Sequence, residues 1–511
     1  MSKGPFEFAA NVEDAAVRAR AAALLRDKGV HLPTFAELAE PRLVPQAIRR
    51  SLASIGPDDP HPANLYRVNW FNDLSRRKQV SVPLFVELPP ALTGVEARIV
   101  VALGALFPMV SAHKVLAAYA CLAPRLVSGR FDPSRQRAVW PSTGNYCRGG
   151  VAISRILGCR AAAVLPAGMS QERFDWLERW VSRKEDIVRT PGTESNVKEI
   201  YDRCAELARD PENEIVNQFS EFGNHLVHWR VTGPALSAIF GQLATRHEGL
   251  KLAGFVSASG SAGTLGAGDH LKERHGAKIA VVEALECPTL LRNGYGEHNI
   301  QGIGDKHVPL IHNVMNGDVV IGVSDKATDA LNAVFNTEIG RAYLARRFGL
   351  ADALLAAFAH FGLSSIANIL GAIKFAKHQG LGPESVVITV ATDGAQLYAS
   401  EVRRYLERRH NTGELTPELA AELVGAHLEG ADTENVLDTT LRERERIFNL
   451  GYFTWVEQQG VGLADFDRRK SQAFWRELHA LVPQWDEMIE AMNRDSGVEA
   501  AVRSPREKQN A

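Results

Sequence analysis

Between about residues 80 and 400, short apolar runs rich in β-branched residues alternate with helical segments. The runs are AAAVLP, EIVNQF, LAGFVSAS, IAVVEAL, DVVIGVS and VVITVA, separated by stretches such as QERFDWLERWVSR and ALSAIFGQLATRH. Parallel strands cannot be joined by tight hairpins and need crossovers, which intervening helices supply. The rhythm therefore predicts an α/β fold, with twisted, mostly parallel sheets flanked by helices. Outside that span the pattern changes. The first 65 or so residues hold one clear helix, NVEDAAVRARAAALLRDKG, with Asn11 at its N-cap and Lys28 and Gly29 at its end. After about 400 the strands stop and amphipathic helices predominate, as in LRERERIFNLGYFTWVEQQ and SQAFWRELHALVPQWDEMIEAM. Phe448, Tyr452, Phe453, Trp455, Phe474, Trp475 and Trp485 are too many aromatics for a solvated appendage. Their face is expected to pack on the core or on a second subunit.

Composition narrows the function classes. The chain has 511 residues, 45% hydrophobic and 23% charged, as in ordinary globular proteins, and a net charge of −2 gives no electrostatic footprint for nucleic acid. Five scattered cysteines form no CxxC pair, so neither a disulfide framework nor a metal site is expected. The N-terminal MSKGPFEFAANVEDA lacks an apolar signal core, and the most apolar run, ARIVVALGALFPMV, is too short to span a bilayer. A cytoplasmic protein that partners neither membrane nor nucleic acid is expected.

The stretch FVSASGSAGTLGAGDHL places four glycines within nine residues between a strand-like and a helix-like run. Bare backbone at a strand end, with inward amides and a helix N-terminus beyond, suits a phosphate. Gly260, Gly263 and Gly266 follow GxxGxxG, neither the dinucleotide GxGxxG nor a nucleotide P-loop. Glu283, ending the next apolar strand, could still serve a nucleotide ribose, so a dinucleotide and a phosphorylated cofactor both remain open on this loop.

Three other stretches bear on the choice. PMVSAHKVLAAYA puts Lys114 where an apolar segment meets an alanine-rich helix, and a buried ammonium there needs a partner. WPSTGNYCRGGVAISRIL opens a helix with hydroxyls and amides that can cap it or hold a carboxylate. GLSSIANILGAIKFA opens another helix with Ser364 and Ser365.

In this order the stretches resemble the tryptophan synthase β-like family, the fold type II pyridoxal phosphate enzymes that include cysteine synthase. The resemblance runs from about Ser81 to Tyr398, and also takes in NQFS with TGP, GEHNIQGIG and TDGAQLY. It implies a two-domain fold type II enzyme, divided near 80–235 (smaller α/β domain, with the Schiff-base lysine and asparagine loop) and 236–400 (larger, with the phosphate loop). Residues 1–79 would form a helical lead-in and 401–511 a helical extension. It implies that Lys114 carries pyridoxal 5'-phosphate and removes the α-proton. His113, Gly260, Ser261, Ala262, Gly263 and Thr264 would meet the phosphate, Asn145 the ring oxygen and Ser365 the pyridine nitrogen. Ser142, Thr143, Gly144 and Gln218 would bind the substrate carboxylate.

A hydroxyl at Ser365 cannot keep the ring nitrogen protonated as an aspartate would, which favours elimination at Cβ. The expectation is a homodimeric lyase or β-replacing transferase acting on a small amino acid with a leaving group at Cβ. Val115 and Leu116 depart from the Asp-Arg that usually follows the cysteine synthase lysine, and Tyr146 replaces a small threonine. Two alternatives stay open: an NAD-dependent oxidoreductase using the glycine loop with Glu283, and a catalytically silent subunit that binds the cofactor.

Overall fold

The computed structural model describes residues 5–411 and 413–498. Among them, eleven strands form two sheets: β1 (Phe85–Leu88), β2 (Arg98–Leu103), β3 (Arg137–Pro141), β4 (Arg160–Pro166), β5 (Ile187–Thr190), β6 (Asn213–Ile215), β7 (Lys251–Ala258), β8 (Lys278–Ala284), β9 (Val319–Val323), β10 (Ser385–Ala391) and β11 (Val436–Asp438). The larger sheet runs β1-β2-β10-β7-β8-β9-β11 and the smaller β5-β4-β3-β6. The smaller sheet is wholly parallel. In the larger, β2, β10, β7, β8 and β9 are parallel, and only the edges β1 and β11 run antiparallel. Every residue of β9 and β10 is buried, as expected of parallel strands covered on both faces. That burial is why their sequences read as unbroken apolar runs.

Three expectations need correction. The strands do not stop at 400, because β11 adds to the edge of β9. A three-residue strand is too short to show any periodicity. The smaller sheet does not begin near 80, since β1 and β2 belong to the larger one. The first helix, Ala15–Lys28, is capped by Asp14, whose carboxylate accepts from the Ala16 and Val17 amides, and not by Asn11. Its end is as expected, with Gly29 at φ 62°.

The C-terminal region packs on the rest of the chain. Trp455 Nε1 donates to the Val308 carbonyl at 2.7 Å and Arg469 Nη1 to Leu310 at 2.7 Å. The Phe474 and Trp475 rings lie 5.7 and 5.8 Å from Phe222. The last helix, Leu481–Ser496, reaches back to the N-terminal segment: Trp485 Nε1 donates to Ala9, and Asp486 accepts the Phe35 and Ala36 amides. Phe453, however, stays exposed.

Candidate active site

The sequence-selected stretches converge at the carboxyl ends of the strands, where ligands of open α/β sheets bind. The glycine loop follows β7 and opens the helix Leu265–His275. Lys114 opens Lys114–Ser128, Asn145 opens Asn145–Leu157 after β3, and Ser365 lies in the first turn of Leu363–His378.

Lys114 Nζ donates to Ser261 Oγ at 2.9 Å and to Gln218 Oε1 at 3.3 Å. Burial pushes its ammonium down to about 8, with Asp305 pulling the other way. Asn224, on which no sequence signal fell, donates to Ser261 Oγ at 2.9 Å and to the Gln218 carbonyl at 3.0 Å. His113 Nε2 pairs with Thr264 Oγ1 at 3.1 Å. Burial and the Lys114 charge push the His113 imidazole down to about 3, so it is neutral.

In the loop itself Ala262 adopts φ 64°. Among the described residues, no protein acceptor takes the amides of Gly260, Ser261, Ala262, Gly263 and Thr264. A Cβ on Gly260 would lie 2.6 Å from the Gly302 carbonyl, and one on Gly263 2.1 Å from Asn224 Oδ1. These glycines are therefore demanded by neighbouring protein atoms.

Across the cleft, Ser142 Oγ accepts from the Gly144 amide at 3.1 Å and from Gln218 Nε2 at 3.3 Å. Gly144 has φ 146°, and a Cβ there would meet Arg173 at 2.6 Å. Asn145 Nδ2 donates to Asp393 Oδ2 at 2.6 Å, and Tyr398 OH donates to the same oxygen at 2.7 Å. Arg148 donates to Asn145 Oδ1 at 3.0 Å. Arg173 donates to Tyr398 OH, Gln301 Oε1 and the Thr143 carbonyl at 2.8, 2.7 and 3.2 Å. Ser365 Oγ donates to the Asp393 carbonyl at 3.3 Å. Thus Asp393, Tyr398, Arg148 and Arg173 join the site although the sequence reading singled out none of them. Asp393 and Tyr398 lie within the quoted TDGAQLY, the only signal that could have found them.

Glu283 stands apart. Its two carboxyl oxygens accept the Leu290 and Leu291 amides, each at 2.8 Å, so both are spent on the start of a short helix. The dinucleotide reading loses the residue on which it rested.

A lysine amine placed against a phosphate-type cradle of five free amides defines a class before any comparison is made. The sequence pattern of the family described as "Pyridoxal-phosphate dependent enzyme" matches residues 83–393, more than half the chain, and the protein belongs to that family. It is a pyridoxal phosphate-dependent enzyme. Cysteine synthase B of Campylobacter jejuni is 31% identical over 257 residues, covering 49% of this chain and 75% of that protein. A cysteine synthase of Staphylococcus aureus is 29% identical over 275 residues, covering 53% and 78%. Among solved structures, a hydrogen sulfide-producing enzyme from Fusobacterium nucleatum matches with a TM-score of 0.52 at 20% identity, covering 65% of this chain and 98% of that one. An O-acetylserine-dependent cystathionine beta-synthase from Helicobacter pylori matches with a TM-score of 0.50 at 23% identity, covering 62% and 94%. Both share the fold.

Proposed function

We propose that the protein catalyses β-elimination or β-replacement on a small amino acid carrying a leaving group at Cβ. The observation that carries this reading is the position of Lys114 Nζ, which touches both the glycine cradle through Ser261 and the proposed carboxylate site through Gln218. The kinship with cysteine synthases supports the reaction class.

The residues fit the cofactor. The free amides of 260–264 and the Ser261 and Thr264 hydroxyls suit its phosphate, with Gly263 keeping the turn close to Asn224 and neutral His113 holding Thr264. Asn145 stands where it can meet the ring oxygen, and Ser365 where a hydroxyl can meet the ring nitrogen. Bound there, pyridoxal phosphate supplies an electron sink for charge developing at Cα. The chain supplies the rest. Ser142, Thr143 and Gln218 orient the substrate carboxylate, with the Gly144 amide holding Ser142 Oγ. Lys114, with its ammonium lowered to about 8, takes and returns the Cα proton near neutral pH.

A cytoplasmic homodimer is part of the proposal. The five cysteines, free and buried, agree with a reducing compartment, and size-exclusion chromatography tests the dimer. No single helix among the described residues is long and apolar enough to cross a membrane. The deciding experiment adds β-substituted amino acids to the purified holoenzyme while following the cofactor absorbance and released leaving group. A spectral response with release supports the reading. A bound cofactor that responds to no amino acid points to the silent subunit.

A further inference from the structure

Two carboxyl groups in the site have no part in the chemistry above. Glu194, 1% exposed, lies in the loop after β5, and among the described residues neither of its oxygens meets a donor in full hydrogen-bonding geometry. Asp305, 6% exposed, lies just after the 296–304 loop, and among the described residues its Oδ2 has no donor. Both act electrostatically on Lys114. The Thr143 hydroxyl and Gly302 amide stand beside Glu194, yet burial pushes its carboxyl up to about 8. Two neutral donors in poor geometry do not offset the burial of a carboxylate, which stays unstable until a proton or a ligand meets it.

Arg173, which acts on Glu194, is already engaged by Gln301, Tyr398 and the Thr143 carbonyl. Glu194 also borders a cavity of about 530 Å³, with Met169, Thr193, Gln301 and Asp329 in its lining and the exposed Arg408 and Arg409 at its rim. The carboxylate of a substrate is provided for at Ser142, Thr143 and Gln218, and its α-amino end at Lys114. What remains for the cavity side is the portion beyond Cβ.

We propose that Glu194, with Asp305 beside it, binds a protonated amine carried beyond the β-carbon, on either the departing group or the incoming nucleophile. The cavity is then the subsite for an amine-bearing reactant. This rests on the β-elimination or β-replacement reading. Charge complementarity carries the choice: two buried carboxyls with incompletely met oxygens favour a cation over a neutral hydroxyl or thiol.

Two matched pairs of probes test it on the holoenzyme. L-2,3-diaminopropionate against L-serine, titrated by cofactor absorbance, reads an amine on the departing group. Cysteamine against 2-mercaptoethanol as acceptors, with O-acetyl-L-serine as donor, reads an amine on the nucleophile. At least one pair should show a tenfold or greater preference for the charged member, and Glu194→Gln should bring that ratio close to one. Asp305→Asn, a second variant that keeps the shape of the site, should reduce the ratio by a smaller factor. The pair that responds tells which reactant carries the amine. No preference in either pair, or a preference that Glu194→Gln leaves intact, overturns the proposal. If no β-substituted amino acid is turned over, the functional reading fails by itself. The absorbance titration still decides for or against the subsite.

Discussion

Lys114 and its neighbours divide the work at the scale of single residues. Ser261 and Gln218 accept from its amine, while Asp305 opposes the burial that drives it toward neutrality. The purified protein should therefore be yellow, and Lys114→Ala should abolish the colour. Borohydride reduction and peptide mapping should place the cofactor label on Lys114. A label on Lys306 instead would sink the assignment. Glu194 gives a second test, through pH. Its carboxyl rises from an ordinary 4.5 to about 8 on folding, so its stabilising protonated form is complete below about 4.5 and is lost as pH climbs toward 8. Each pH unit in that window removes up to ~1.4 kcal/mol. In cofactor-free protein, Glu194→Gln should differ little from wild type at pH 5 and gain on it steadily to pH 8, read as a widening gap in denaturation midpoint. A gap independent of pH would mean that Glu194 titrates normally. Lys114 was singled out in the sequence because its stretch falls in order with the other family-like motifs; a lysine at the head of an apolar helix could by itself equally be a snorkelling or salt-bridged one. Glu194 was not, since a glutamate in a TPGTESN loop looks like any solvated turn until the fold buries it.

The glycine loop shows how an element can be recognised while the reason for its composition is missed. On sequence grounds a side chain at Gly263 would intrude on the phosphate. In the folded chain it would first strike Asn224, at 2.1 Å, which itself holds Ser261 and the Gln218 carbonyl. Gly263→Val should then disturb cradle and carboxylate site together. Cofactor affinity should fall at least tenfold by equilibrium dialysis, and substrate affinity of the residual holoenzyme should fall with it. Unchanged cofactor affinity would put the phosphate elsewhere. The longer elements were readable because parallel strands buried on both faces leave long apolar runs. β11 and the Asp14 cap were not. A strand of three residues carries no period, and Asn11 and Asp14 both have capping chemistry, so only the backbone path decides between them.

At the scale of the whole molecule, the two ends of the chain meet over the catalytic core. Trp485 is bonded to Ala9, Asn493 to Leu32, and Asp486 caps the helix Phe35–Ala39. Deleting residues 401–511 removes β11 and uncovers Phe222, His225 and the Val308–Leu310 strip. The truncated chain should be insoluble, or should unfold without a cooperative transition in calorimetry. A soluble, fully active truncation would instead make the region an independent module.

The larger sheet has antiparallel strands at both margins, and one of them, β11, is made more than a hundred residues after its neighbour β9. At about 5–20 residues per second, translation leaves the β9 margin bare for roughly 6–23 s. An unpaired strand margin is a template for any other extended chain. On a polysome, where nascent copies crowd together, that interval is the period of greatest risk. The catalytic segment that its relatives make as a nearly complete protein becomes here a protein in waiting, safe from its neighbours only when the message has been read as far as Asp438.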